Sequence, residues 1–129
     1  MLSVIVHGRN DAHGYNLHKR VALSLNCLAE LLVSHDEIIF VDWNTADELP
    51  TLPEAIADTL TTHCRERLRV LRVRPHQHRR FARLTHLPVL DAPARNVAIR
   101  RARPENGWLL STTTDAILVP RRPAERCGI

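Results

Sequence analysis

The segment Glu37-Ile38-Ile39-Phe40-Val41 constrains this chain more than any other. After its first residue it is apolar at every position, so as a strand it turns hydrophobic side chains to both pleat faces. Such a strand needs cover on both sides, the situation of a strand inside a parallel sheet packed between helices. The rest of the chain supplies those layers in alternation. Leu2 to Val6 is a β-rich run broken by the turn formers His7 to Asp11. Leu17, Val21, Leu25, Leu28 and Leu32 recur with helical spacing, which predicts a helix from Leu17 to about Val33 with Asn16 as its N-cap. Pro53 opens a second helix carrying Ala55, Ile56, Ala57 and Leu60 and ending near His63. Leu68 to Val73 alternates apolar residues with Arg, as a strand with one more exposed face does. The three prolines and three histidines between Pro75 and Pro93 predict a loop. A short helix is expected from Ala94 to Ala102, and Trp108-Leu109-Leu110 opens a last strand that runs into Ser111 to Asp115.

The order β-α-β-α-β-loop-α-β predicts an α/β fold: a three-layer α/β/α, Rossmann-like, mostly parallel sheet. The 129 residues fit one domain at ~100–200 residues each. No apolar run reaches the ~18 residues that cross a bilayer, and the opening residues lack a basic leader, so the expectation is a cytoplasmic protein without a membrane span. Cys27, Cys64 and Cys127 are scattered, with no C-x-x-C pair, and read as reduced thiols. His76 and His78, with His63 and Cys64 upstream, read as solvated side chains rather than zinc ligands.

Open parallel sheets bind ligands beyond the carboxyl ends of their strands. The polar clusters at 7–11, 42–45 and 112–115 all fall there. Asp42 can accept a hydrogen bond from a ribose hydroxyl or a base N–H, and Asp115 can meet a hard cation. Neither G-x-G-x-x-G nor G-x-x-x-x-G-K-[ST] follows the first strand, which removes the support for ordinary dinucleotide and P-loop sites.

Four short motifs occur in one order. Ser3-Val4-Ile5-Val6-His7-Gly8-Arg9-Asn10-Asp11 resembles S-V-I-I-P-x-Y-N-E, and Glu37 to Thr45 resembles E-I-I-V-V-D-D-x-S. Ala94-Arg95-Asn96 matches an A-R-N helix start, and Trp108 to Asp115 is similar to W-L-x-F-x-D-x-D. Together they resemble the GT-A glycosyltransferases, family 2, over residues 3 to 119. The resemblance implies a GT-A type domain over 1–120, incomplete beside family members that continue into an acceptor-binding part, and a tail at 121–129. It implies a nucleotide-sugar donor held by His7, Gly8, Arg9, Asn10, Asp11, Asp42, Asn44, Arg95 and Asn96, without naming the acceptor. By the same analogy Asp115 holds Mg²⁺ or Mn²⁺, more weakly because Thr113 replaces the first acid of D-x-D. No residue stands out as the general base. An incomplete sheet leaves an open edge, through which a homo-oligomer is expected.

Two other classes remain open on the sequence. Residues 1–64 hold nine acids and three bases, while 65–129 hold fifteen bases and five acids; every base but Lys19 is Arg. The stretch 65–83 has eight arginines and one acid, which predicts salt-sensitive nucleic-acid binding. Phe81 is its sole aromatic, a poor supply for base stacking. The third reading is a non-catalytic interaction module.

Overall fold

Strands β1 (Leu2–Gly8), β2 (Glu37–Trp43), β3 (Leu68–Val73) and β4 (Trp108–Ser111) form one sheet in the order β3-β2-β1-β4, and every neighbouring pair is parallel. The computed structural model describes residues 1–11 and 15–119. The expected tail at 121–129, and Cys127 with it, lies outside the described residues.

The helices are α1 (Leu17–Ala29), α2 (Leu52–Ala55), α3 (Thr62–Arg67), α4 (Pro75–His78) and α5 (Asp91–Arg101). On one face of the sheet Val4, Val6, Ile38 and Phe40 pack against Val21, Leu25 and Leu28 of α1, Leu52 of α2 and Cys64 of α3. On the other, Ile5, Ile39, Val41 and Trp43 pack against Ala94 and Ala98 of α5. Ile38, Ile39, Phe40 and Val41 are each 0% exposed, so both faces of β2 are covered as its apolar run requires. Progression through the sheet runs outward from β1 to β3, then returns to the far side of β1 for β4, and the connecting helices change face where it turns back. The three-layer α/β/α architecture is therefore present.

The helices depart from the sequence pattern in three places. Asn16 occupies the N-cap position of α1 in a left-handed conformation (φ 55°) and makes no side-chain cap bond; capping geometry needs an extended residue that aims its side chain at the first free N–H groups. That helix stops at Ala29 rather than Val33, because Asp36 accepts from the Val33 N–H (2.9 Å) and from the Leu2 N–H (2.8 Å), pulling the chain over toward β1. The single helix expected from Pro53 is broken into α2, a 3₁₀ turn at Ala57–Thr59, and α3. Asn26 of α1 holds the break: its side chain donates to the Thr59 carbonyl (3.0 Å) and accepts from the Thr61 N–H (2.9 Å), and Thr61 then caps α3 through the Cys64 N–H. The expected 75–93 loop contains α4 and a second 3₁₀ turn, Arg79–Phe81.

At the amino-terminal ends of the strands lies a buried polar knot. Glu37 is 0% exposed. It accepts from the Ser3 hydroxyl (2.8 Å), the Arg103 N–H (2.8 Å) and the Arg69 guanidinium (2.7 Å), joining β1, β2, β3 and the loop before β4. Asn106 adds a bond to Ser3 (2.8 Å). An isolated buried carboxylate is costly, and here each partner offsets part of its lost hydration.

Among the described residues no strand pairs with the outer side of β4. All four of its residues are exposed, with Trp108 at 75%.

Candidate functional site

The ends of three strands meet at one place. Gly8 closes β1 in register with Asp42 of β2, and beyond β4 the Thr112 N–H donates to the Ile5 carbonyl (2.9 Å), which keeps the chain alongside β1. Thr114 then packs on Gly8. A Cβ at position 8 would lie 3.2 Å from Thr114 Cγ2 and 3.3 Å from Phe40 Cζ, so glycine is what lets the last tip close over the first. Because the strand order reverses at β1, this is the switch point where an open α/β sheet forms a crevice. The clusters at 7–11, 42–45 and 112–115 share this end of the sheet.

Hydrogen bonds fix the first two tips to each other. Arg9 Nε donates to the Asn44 carbonyl (2.6 Å), and the Asn10 N–H donates to the Thr45 hydroxyl (3.0 Å). The Asn10 amide also donates to the Pro50 carbonyl (3.0 Å) and accepts from His18 Nε2 (2.9 Å). Asn44 is left-handed (φ 63°), a conformation that asparagine tolerates. That turn lets its N–H reach the Val73 carbonyl (2.8 Å) and its side chain the Pro88 carbonyl (3.0 Å). Inside this frame Gly8, Arg9, Asp11 and Thr114 line a cavity of about 140 Å³ with Leu17 and Leu52. Asp11 sits 3.6 Å from the Arg9 guanidinium.

Asp42 lies beneath the crevice rather than in it. It is 0% exposed, and one carboxylate oxygen accepts from the Leu52 N–H (2.7 Å) at the start of α2. The other oxygen has no hydrogen-bond partner among the described residues. Burial pushes its carboxyl above the usual range, against the pull of the Leu52 N–H, the Thr45 hydroxyl and the Arg72 cation across the strand pair. With no surface of its own, Asp42 is engaged by the turn that leads into α2. Trp43 beside it is 2% exposed, donates to His78 Nδ1 (2.9 Å) and meets Phe81 at a ring distance of 6.0 Å. It is a packing residue on the α5 face. His78 is therefore an acceptor in the structure, not simply solvated, and burial together with the Arg9 charge lowers its pKa.

A pair that sequence reasoning missed joins this end of the sheet. His7 Nε2 donates to Asp91 of α5 (2.7 Å), while Nδ1 is buried without a partner among the described residues. The partners are 84 positions apart in the chain. The signal available was a histidine replacing the expected proline at the tip of β1.

Asp115 is engaged by the Arg20 guanidinium of α1. Thr113 stands two positions before it where the resemblance expects an acid. Among the described residues no group of three or more His, Cys, Asp or Glu side chains fit to hold a metal occurs. Cys27 and Cys64 are free thiols, and burial pushes Cys64 up to about 11. Arg95 and Asn96 are exposed on α5 and are not brought to the crevice by any hydrogen bond or ion pair among the described residues. Asn96 instead borders a groove along α5 with Phe81 and Arg100. Of the arginine-rich stretch, Arg69 pairs with Glu37 and Arg74 with Asp47, while Arg72 donates to the Ala46 and Leu49 carbonyls, so these three side chains are held within the fold.

No protein-family model matches the chain, and no curated protein matches its sequence. Among solved structures it is similar to S. aureus TarS, a glycosyltransferase, with a TM-score of 0.51 and 24% identity. The likeness covers 88% of this chain and 16% of that one. It shows a glycosyltransferase-like α/β fold. No helix among the described residues is long and apolar enough to cross a membrane.

Proposed function

We propose that the chain is a glycosyltransferase-like donor domain whose strand-tip crevice takes the diphosphate of a nucleotide sugar. The observation that carries this reading is the closure of Thr114 over Gly8 at the switch point, with Arg9 in the cavity wall. At about 140 Å³ the cavity is smaller than the ~300 Å³ at which sites for whole drug-sized ligands begin. It suits a charged head group, with nucleoside and sugar resting over the rim. Arg9 faces the diphosphate, and its charge opposes the negative charge that develops there as the anomeric bond breaks. Arg20 neutralises Asp115, which otherwise repels a diphosphate beside it. Asp42, Asn44 and Asn10 position the tips.

The test is a calorimetric titration with UDP, GDP and their sugars, with and without Mn²⁺, set beside an oligonucleotide. Saturable diphosphate binding is the expected result. Salt-sensitive oligonucleotide binding with no diphosphate affinity would overturn it. A gain with Mn²⁺ that Asp115→Asn removes would give Asp115 the metal role that the resemblance implies.

The same reading leaves β4 open to a second copy of the chain, since an unpaired edge is a template for strand addition. Size-exclusion chromatography over a concentration series is expected to show an association that Trp108→Lys weakens. An elution volume independent of concentration counts against it.

A further inference from the structure

A second cavity lies on the opposite side of the sheet from the strand-tip crevice, between β3 and α5. Its volume is about 340 Å³, within the ~300–1,000 Å³ range of small-molecule sites. Trp43, Leu71 and Val73 form its wall on the sheet, and Phe81, Pro93 and Val97 close it from the other side. Arg80 and Arg101 border it, and no carboxylate does. None of these residues lines the strand-tip cavity.

Arg72 belongs to the other face of the sheet: it stands opposite Asp42 in the β2–β3 register, and its Nη2 donates to the Ala46 and Leu49 carbonyls. The two guanidinium groups at the cavity are little engaged. Arg101 makes one long bond, 3.5 Å, to the Val97 carbonyl. Arg80 is exposed and has no hydrogen bond or ion pair among the described residues. An apolar cavity rimmed by cations without a carboxylate is complementary to an anion with a flat apolar body: its ring displaces water from the Phe81 and Val97 surfaces, and its oxygens accept from the planar guanidinium forks.

We propose that the β3–α5 cavity binds a small aromatic anion, a ring carrying a carboxylate or a phosphate. The site is separate from the donor crevice and does not depend on it. Trp43 and Trp108 are the two tryptophans of the chain, so the full-length Trp108→Phe protein reports on the cavity wall through Trp43 fluorescence alone. Titration with 2-naphthoate and with 2-naphthyl phosphate is expected to give a saturable change, and the tighter of the two names the head group. Arg80→Gln and Arg101→Gln, both at exposed positions, are each expected to weaken binding about tenfold, the loss of one charge-assisted hydrogen bond. Saturating UDP is expected to leave the titration unchanged. The proposal fails if neither anion gives saturation, if the neutral 2-naphthalenemethanol binds as well, or if both arginine variants bind like the parent. It fails equally if UDP displaces the probe, which would place the signal in the donor crevice.

Discussion

Glu37→Ala is expected to destabilise the fold by about 3–5 kcal/mol, the cost of breaking a buried ion pair by removing one partner. It leaves the Ser3 hydroxyl and the Arg103 N–H without an acceptor and the Arg69 guanidinium without its counter-charge, at the point where three strands begin. Urea unfolding reads it as a lower midpoint at an unchanged slope. The pH dependence has a definite sign. Burial alone raises the Glu37 carboxyl, but the Arg103 N–H, the Arg69 and Ser3 bonds and the Arg69 charge outweigh it, so the folded pKa lies below the ordinary 4.5. A depressed folded pKa means that the stabilisation is fully present above the unfolded value and is lost as pH falls through the folded one. The stabilities of wild type and Glu37→Gln should therefore converge as the pH drops below about 4.5. Parallel curves would remove the charge of Glu37 from the account. Asp42, at the other end of the same strand, has the opposite sign: its raised carboxyl costs stability as pH climbs from 3.8 through the folded value.

Gly8→Val is expected to abolish nucleoside diphosphate binding, a loss of about a hundredfold or more. Its Cβ alone meets Thr114 and Phe40 at 3.2 and 3.3 Å, and its two methyl groups occupy the cavity between the tips. Overpacking of this kind costs about 1–3 kcal/mol, so circular dichroism should still report a folded protein. Gly8→Ala separates the effects: the neighbours give by a few tenths of an ångström, the cavity persists, and binding falls less. Unchanged affinity in folded Gly8→Val would place the ligand elsewhere than the switch point.

What the sequence made legible follows from what is local. Ile38 to Val41 announced a strand covered on both faces because β-branched and aromatic residues in an unbroken run have few other solutions. Leu32 kept its place in the core although α1 ends earlier, since the apolar period marks a face and not a boundary. The break between α2 and α3 was hidden because Asn26, which holds it, belongs to another helix. Placement of the three tips together was readable from the alternation of elements. The burial of Asp42 was not, as it depends on how the 44–52 turn folds back to offer the Leu52 N–H. Nor was the engagement of Asp115, whose partner Arg20 lies 95 positions away.

The sheet order has a consequence for how the chain matures. β1 sits between β2 and β4, yet Leu2 of β1 pairs with Trp108 of β4, so the strand translated earliest in this sheet receives its second neighbour last. Throughout synthesis of the intervening residues one side of β1, with Val4, Ile5 and Val6, is an unsatisfied ribbon of the kind that nascent chains lose to aggregation. Pairings so distant slow folding through the entropy of closing the loop. A ribosome stalled before Trp108 would therefore display a half-built sheet, and chaperone contact should end when the WLLS segment clears the exit tunnel.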